Sequence, residues 1–531
     1  MSKKRIFTIE FPHIYFTETL LALGYCSLAI SCGNAPQTTS KPNIIFIMSD
    51  DHAYQAISAY SDKLIQTPNI DRIAHEGVLF RKAFVTNSIC GPSRATILTG
   101  KYSHINGFKD NDNYLFNGEQ QTLPKILQQN GYATAIVGKW HLGSIPTGFD
   151  FWDILPNQGH YYNPEFNKMG KDTVYPGYVT DIITDHAIDW MKQNGSKPFF
   201  LMLHHKAPHR NWMPPLKYLN EFNNVTFPAP ENFNDNYKDR LALQRQRLTV
   251  AGQLSVTYDS KVPCDTCTED EVNHWVKGEW EREYGRLSPE QKEVWDKIMK
   301  VEAEEFSRIK NREDRKKWQF QRYMEDYLRC VKSVDDNVGR VLDFLKESGF
   351  DKNTIVVYTS DQGFNLGEHG LYDKRFMYEE SLRTPLIIFS PQAKNKGIQN
   401  SDLVMNLDFA PTILDFAGIK VPEDMQGVSM KPLIMEENDK NWRKEIYYHY
   451  YEKSFGMSKQ FGIRTNKYKL IHFYDPIDSW ELYDLQADPT EMTNLIANQN
   501  MQNVVQDLKI RLKKLQEKYK DDMEGELRFK K

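Results

Sequence analysis

A cysteine followed by a proline and an arginine marks the most chemically specific stretch of the chain, Cys90-Gly91-Pro92-Ser93-Arg94. Pro92 suits the first position of a helix and Gly100 suits the position just past its end, so a helix is predicted between them. Cys90 would then lie at the helix N-terminus, where free N–H groups and the helix dipole favour an anion. Arg94 adds a planar cation suited to sulfate, phosphate or carboxylate. Cys90 is therefore a candidate nucleophile, the alternative being a buried cysteine that only packs.

Four apolar runs of the chain each end abruptly in polar residues. Continuous apolar runs predict strands that are buried on both faces of a helix-covered sheet. In such sheets ligands collect beyond the carboxyl ends of the strands, so the four polar clusters are expected to form one site. The clusters are Ser49-Asp50-Asp51-His52, Lys139-Trp140-His141, His204-His205-Lys206-Ala207-Pro208-His209 and Ser360-Asp361-Gln362-Gly363.

Asp50, Asp51, Asp361 and the amide of Gln362 provide an all-oxygen set of candidate metal ligands. Hard cations prefer such ligands, whereas zinc would prefer histidine or cysteine. A lone Asp-Asp pair is more often a turn or a helix cap, but two strand ends supply these carboxylates. Three carboxylates and flexible coordination favour Ca²⁺, with Mg²⁺ as the second choice.

Helical patterns alternate with the apolar runs, which predicts the α/β class. Apolar residues from Tyr327 to Leu345 recur at steps of 4, 3, 4, 3 and 4, as in an amphipathic helix. We expect a large mixed, mostly parallel sheet sandwiched by helices in a catalytic domain at about 42–430. A charged helical insertion at about 211–319 either packs on the domain surface or forms a wall of the substrate cleft. Short alternating strands and a final helix predict a smaller C-terminal α+β subdomain, with an antiparallel sheet, at 431–531.

The N-terminus has the pattern of an export signal. Lys3, Lys4 and Arg5 precede a short apolar run, Leu20–Ile30, that is too short to span a bilayer. The run closes in Leu28-Ala29-Ile30-Ser31-Cys32-Gly33, which resembles a bacterial lipobox with Cys32 as the lipidated residue. We expect a lipoprotein signal peptide at 1–32, a flexible tether at 33–41 and a lipid-anchored protein in the periplasm or on the bacterial cell surface. The alternative is ordinary cleavage with Cys32 discarded or idle.

Composition excludes some classes of protein. The chain of 531 residues has a net charge of -4, which argues against a nucleic-acid partner. Its 26% charged and 40% hydrophobic residues are ordinary for a globular protein. Among six cysteines, Cys264 and Cys267 form a pair without the spacing of a zinc site, so a local disulfide or two plain thiols is expected.

The stretch from Cys90 to Arg94, with Thr99-Gly100-Lys101-Tyr102 after it, resembles the signature of the type I, formylglycine-dependent sulfatases of the alkaline phosphatase superfamily. The resemblance covers about residues 41–494. It implies that a formylglycine-generating or anaerobic sulfatase-maturing enzyme oxidises Cys90 to formylglycine. It also implies that Asp50, Asp51, Asp361 and Gln362, with the modified Cys90, bind the metal. Many family members carry Asn where Gln362 stands.

The resemblance also assigns a set of cations to sulfate binding and proton transfer. The modified Cys90, as its hydrate, would attack sulfur, and His209 would protonate the departing alcohol. His141 would then help to expel sulfate. His204 and His205 are left as residues of an outer layer. The matching positions are Arg94, Lys139, His141, His209 and Lys374.

The segment from Gly367 to Ser381 resembles sulfatases of sulfated carbohydrates, above all N-acetylglucosamine-6-sulfatases and related glycosaminoglycan or mucin-glycan enzymes. Asp110, Asn111, Asp112 and Asn113 either contact sugar hydroxyls or form a solvated turn. Three alternatives stay open at this point. They are a sulfatase of sulfated galactose or N-acetylgalactosamine, a phosphonate or phosphate ester hydrolase of the same superfamily, and a glycan-binding lipoprotein without activity.

Overall fold

A computed structural model describes residues 8–10, 41–264, 267–273, 276, 278–436 and 441–522. The chain divides into two units, Met1–Ser40 and Lys41–Lys531. The predicted signal peptide, except residues 8–10, and the tether up to residue 40 lie outside the described residues. Among the residues described, no helix has both the length and the apolar character that crossing a membrane requires.

The strands of the second unit form one large sheet and three small ones. In chain order they are β1 (Asn43–Ser49), β2 (Val78–Phe80), β3 (Ala83–Phe84), β4 (Ala133–Lys139), β5 (Phe151–Leu155), β6 (Glu165–Lys168), β7 (Lys171–Val174), β8 (Phe199–His205), β9 (Thr354–Ser360), β10 (Asn365–Leu366), β11 (Tyr372–Asp373), β12 (Arg383–Thr384), β13 (Leu386–Phe389), β14 (Ile398–Asn400), β15 (Val404–Met405), β16 (Glu445–Tyr450), β17 (Lys459–Thr465), β18 (Tyr468–Asp475) and β19 (Ser479–Asp484).

The large sheet has the strand order β14-β2-β13-β9-β1-β8-β4-β5-β6-β7. Its five central strands, from β9 to β5, run parallel, and antiparallel pairs flank them. The four apolar runs of the sequence are the four strands at its centre, β9, β1, β8 and β4. Their carboxyl ends therefore lie side by side, as predicted.

Helices cover both faces of the large sheet. Along β1, Ile45 and Ile47 belong to one hydrophobic core, while Ile44, Phe46 and Met48 belong to a second core on the other face. The helices are α1 (Pro68–Glu76), α2 (Cys90–Thr99), α3 (Ser103–Asn106), α4 (Leu123–Gln129), α5 (Val179–Asn194), α6 (Leu241–Arg245), α7 (Val250–Gln253), α8 (Glu269–Val272), α9 (Glu279–Gly285), α10 (Pro289–Arg308), α11 (Arg312–Ser348), α12 (Glu379–Leu382), α13 (Phe409–Phe416), α14 (Lys431–Ile434) and α15 (Gln502–Tyr519).

The long helix α11 joins the insertion to the sheet. Its apolar residues from Tyr327 to Leu345 are buried, as the helical spacing predicts. Within the insertion, Ser288 and Gln291 form a capping box at the start of α10. Cys264 and Cys267 form a local disulfide, with 5.5 Å between their Cα atoms.

The C-terminal part contains the predicted antiparallel sheet, in the order β16-β17-β18-β19. Helix α15 packs against it through Val505, Leu508, Leu512 and Leu515, which repeat at helical spacing and are buried. The mixed α/β sheet covered by helices, with a smaller C-terminal sheet, confirms the fold class.

Candidate active site

The carboxyl ends of β1 and β9 bring the four predicted metal ligands together. The two strands pair in parallel with Ser49 opposite Ser360, so the residues that follow each strand meet. The Asp51 N–H donates to Asp361 Oδ1 at 3.2 Å, and the Gln362 amide donates to Asp51 Oδ1 at 2.5 Å. Asp50, the fourth candidate ligand, is fully buried with them.

The donor set of this site fits a hard cation. Asp50 Oδ1 and Gln362 Oε1 are buried and have no hydrogen-bond partner among the described residues. Buried polar atoms normally have partners, so two orphaned oxygens at one place suit an ion that takes oxygen ligands. Ligand atoms of Asp50, Asp51 and His209 also lie within 4.8 Å of one another. The role of these residues as ligands stays a prediction.

Each of the three buried carboxylates has a cationic partner. Arg94 donates from Nε and Nη2 to Asp361 Oδ2 at 3.0 and 2.8 Å. Lys374 Nζ contacts both carboxylate oxygens of Asp51, at 2.5 and 2.7 Å, and Lys139 forms an ion pair with Asp50. Burial opposes ionisation of Asp361, but Arg94, Lys139 and Lys374 outweigh it and lower the pKa of that carboxyl. The predicted cations therefore surround the predicted ligands.

Cys90 lies at the first position of α2, which begins two residues earlier than predicted. Pro92 is accommodated there because the first N–H groups of a helix have no intrahelical partner. The Asn111 amide donates to Cys90 Sγ at 3.4 Å, and Asn111 Oδ1 accepts the Gly91 N–H at 3.1 Å. Burial raises the pKa of the Cys90 thiol to about 11, so the unmodified thiol is protonated at neutral pH.

The loop that carries Asn111 has two different parts. Asp110 Oδ1 accepts the N–H groups of Asp112 and Asn113, at 3.0 and 2.7 Å, which makes a turn with both residues exposed. Asn111, by contrast, contacts the candidate nucleophile. The solvated-turn interpretation therefore describes Asp112 and Asn113 but not Asn111.

Gln158 joins two predicted catalytic residues and was missed by the sequence analysis. Its Oε1 accepts from Lys139 Nζ at 2.5 Å, and its Nε2 lies 3.1 Å from His141 Nε2. Because an amide nitrogen donates, the facing His141 nitrogen accepts. Gln158 follows strand β5, so the same pattern of a strand ending in polar residues could have identified it.

His209 presents one ring nitrogen to the site. Its Nδ1 bonds to the carbonyl of Arg210 at 2.7 Å, so Nδ1 is the donor, and Nε2 lies 3.7 Å from Asp51 Oδ2. Burial, followed by the nearby cations, lowers the pKa values of His209 and His141, which keeps both rings neutral at neutral pH. Nε2 of His209 is thus free for proton exchange with a bound molecule.

The other two histidines of the β8 end are not alike. His204 Nδ1 bonds to the Lys139 carbonyl at 3.1 Å, which supports the backbone beside the site. His205 is fully buried in β8, and within the described chain its ring nitrogens have no hydrogen-bond partner. Of the pair, only His204 contacts the predicted site.

A cavity of about 1100 Å³, including its mouth, opens beside His209. The core domain contributes Gln158, His160, Lys206 and Arg210 to its lining. The insertion contributes Tyr258, Val276, Glu279, Arg282 and Glu283. Burial lowers the pKa of Lys206 to about 8. The insertion therefore forms part of the wall of this cavity rather than only covering the domain surface.

A family model for sulfatases matches residues 42–419, which is most of the chain. The chain belongs to the sulfatase family. A second model, for the C-terminal part of N-sulphoglucosamine sulphohydrolase, matches residues 367–518. The chain is therefore a sulfuric ester hydrolase, and the inactive glycan-binding alternative is set aside.

Two relatives show how specific the likeness is. The chain is 48% identical over 518 residues to the N-acetylglucosamine-6-O-sulfatase of Bacteroides thetaiotaomicron, covering 95% of this chain and 91% of that relative. It is 26% identical to the human N-acetylglucosamine-6-sulfatase, over 90% of this chain and 84% of the human protein.

Two solved structures resemble the fold of this chain. A protein solved in complex with its substrate D-glucosamine-2-N,6-O-disulfate superposes with a TM-score of 0.87 at 48% identity, covering 91% of this chain and 99% of that chain. A phosphonate monoester hydrolase from Silicibacter pomeroyi has a TM-score of 0.66 at 19% identity, over 90% of this chain and 96% of that chain. The second likeness shows the shared fold alone.

Proposed function

We propose that this sulfatase removes the 6-O-sulfate from glucosamine units of sulfated glycans, of the glycosaminoglycan or mucin type. The observation that carries the proposal is the 48% identity, over nearly the whole chain, to an N-acetylglucosamine-6-O-sulfatase. The same identity to a protein solved with a 6-O-sulfated glucosamine supports it.

The chemistry proposed for the site depends on a modified Cys90 and a bound cation. Cys90 oxidised to formylglycine supplies a hydrated aldehyde as nucleophile, and Ca²⁺ held by Asp50, Asp51, Asp361 and Gln362 supplies a Lewis acid. Two features of this chain support the proposal: the orphaned ligand oxygens and the raised pKa of Cys90, which leaves the plain thiol a poor nucleophile. A thiolate attack would also leave a thiosulfate without an easy exit.

The side chains around Cys90 have different roles in ester cleavage. Arg94, Lys139 and Lys374 neutralise charge on the non-bridging oxygens of the sulfate. His209 presents Nε2 towards the site; a proton taken up there from solvent when the anionic ester binds is passed to the departing sugar oxygen. His141 acts as a base when sulfate is expelled, and the Gln158 amide holds its ring in place through Nε2. Sulfate and the 6-hydroxyl of the sugar are the products.

The proposal also covers the localisation of the protein and the enzyme that matures it. A formylglycine-generating or anaerobic sulfatase-maturing enzyme would convert Cys90. The lipobox ending at Cys32 supports an exported lipoprotein, in the periplasm or on the cell surface of a bacterium. Radiolabelled palmitate incorporation that is lost in Cys32→Ser tests the anchor.

Sulfate release from a panel of sulfated sugars tests the activity. The panel contains N-acetylglucosamine-6-sulfate, D-glucosamine-2-N,6-O-disulfate, 6-sulfated and 4-sulfated galactose and N-acetylgalactosamine, and a phosphate monoester. We expect release from the two 6-sulfated glucosamines alone, with mass spectrometry confirming the aldehyde at position 90. Release only from a galactose or phosphate ester would refute the proposed substrate. Wild-type turnover by Cys90→Ala would refute the proposed nucleophile.

A further inference from the structure

Lys206 lines the cavity beside His209 and, among the described residues, has no carboxylate in ion-pair contact. Its side chain is 3% exposed and lines that cavity. In the described part of the chain, no carboxylate lies within ion-pair distance of its ammonium group, which instead lies 4.7 Å from the centre of the Tyr161 ring. A buried lysine without a counter-ion is costly unless a ligand supplies one.

The other charged side chains of the cavity already have polar or charged partners in direct contact. Arg210 forms a bidentate pair with Asp259, at 2.7 and 2.6 Å. His160 contacts Glu283 at 2.8 Å, and Arg282 pairs with Glu279. Glu165, the third carboxylate of the lining, pairs with Arg286 at 3.2 Å. Among the described lining residues, Lys206 is therefore the lysine or arginine without a carboxylate in ion-pair contact, although the more distant Glu283 contributes a favourable charge, and an anion can approach it.

The position of Lys206 separates it from the sulfate that is cleaved. Under the proposed function, the departing sugar oxygen is protonated from Nε2 of His209, so the sugar lies on the His209 side of the sulfur atom. The cavity lined by His209 and Lys206 is on that side, and, of the described residues that line it, none is Cys90 or Lys374. A group that reaches Lys206 is therefore carried by the departing sugar or by its neighbour.

We propose that Lys206 forms a second anion subsite, which binds a negatively charged substituent of the glycan other than the ester under attack. The substituent is a sulfamate on the same sugar or the carboxylate of an adjoining uronic acid. Both offer an anionic oxygen to the ammonium group. The inference rests on the proposed function, because it places the sugar beside His209.

Binding of desulfated products tests the subsite without turnover. The full chain is titrated by calorimetry with N-sulfoglucosamine, with a disaccharide of N-acetylglucosamine and a uronic acid, and with N-acetylglucosamine. We expect Lys206→Met to weaken binding of one or both anionic sugars about tenfold and to leave N-acetylglucosamine unchanged. Which of the two loses affinity identifies the source of the anion. Lys206→Arg should restore most of the loss.

Lys297→Met is the matched control, because it removes one positive charge of the insertion at an exposed, already paired position outside the cavity. It should leave all three affinities unchanged. The subsite would be overturned if wild type and Lys206→Met bound the anionic sugars equally, or if wild type did not bind them measurably. It would also be overturned if Lys206→Met lost as much affinity for N-acetylglucosamine as for the anionic sugars. The proposed function is judged separately by sulfate release from 6-sulfated glucosamines, so either conclusion can fail while the other stands.

Discussion

Gly138 and His204 face each other across β4 and β8 so closely that a β-carbon on Gly138 would overlap the carbonyl oxygen of His204. Gly138 also has a φ of 104°, a conformation that other residues rarely adopt. The next residue is Lys139, which contacts Asp50 and Gln158. The bare backbone at Gly138 thus sets where Lys139 enters the site.

Gly138→Ala should lower both stability and activity, because β4 must move away from β8 and carry Lys139 with it. We expect a loss of about 2 kcal/mol in the free energy of unfolding and a fall in kcat. Gly131→Ala is the control, since Gly131 has a φ of 83° but, within the described residues, nothing lies within 4 Å of an added β-carbon. If urea unfolding showed equal losses of stability for the two variants, the positive φ would explain the effect, and the overlap with the His204 carbonyl would not.

Gln158→Leu should reduce kcat by about 10- to 100-fold with a smaller change in KM, because Gln158 holds His141 and Lys139 without being required for ground-state binding. Steady-state sulfate release measures both constants. Gln399→Leu, on the edge strand β14, is the control and should match wild type. A rise in KM at constant kcat would instead place Gln158 among residues that bind the substrate.

Ca²⁺ should raise the thermal unfolding temperature of the chelator-treated protein. A ligand at about 100 times its Kd adds about 2.7 kcal/mol of stability, and Mg²⁺ should add less. Asp361→Asn removes a proposed ligand and should abolish the rise, whereas Asp415→Asn, next to Lys431, should keep it. A rise of the same size in Asp361→Asn would be evidence that the ion binds elsewhere.

Asp335 on α11 caps α1 from outside, accepting the N–H groups of Asn69 and Ile70 at 3.0 and 2.8 Å. Burial nevertheless raises the pKa of Asp335 to about 6. Because the folded state holds this proton more tightly than the unfolded state, the contribution of Asp335 to stability falls as pH rises through the folded pKa. Asp335→Asn should lack that fall.

Urea unfolding of wild type and Asp335→Asn at several pH values checks this expectation. The advantage of wild type over the variant should shrink by about 1 kcal/mol between about pH 5 and pH 8. Asp343→Asn, on the same helix but exposed, should show no such trend. A pH-independent gap between wild type and Asp335→Asn would mean that the carboxyl titrates normally.

The central sheet was predictable because its strands are apolar on both faces and end in polar clusters. The strands that begin at Asn43, Ala133, Phe199 and Thr354 all lie where the apolar runs are. The same pattern located Asp50, Asp361 and the histidines, since parallel strands end at one edge of the sheet.

Contacts between loops were not predictable in the same way. Asn111 reaches Cys90 from a segment without periodic structure. Such contacts depend on how distant loops fold over the sheet edge, which no local pattern of residue types encodes. The unpaired charge of Lys206 likewise becomes visible only when every neighbouring ion pair has been identified.

Every residue of α2, from Cys90 to Thr99, is buried. An enzyme that modifies Cys90 needs to reach its thiol, and the folded protein leaves that side chain buried. Under the proposed chemistry, the nucleophile is therefore made before this helix closes into the core. The active fraction of the protein is then decided once, before folding is complete, and a molecule that folds with an unconverted Cys90 has no later route to activity short of unfolding.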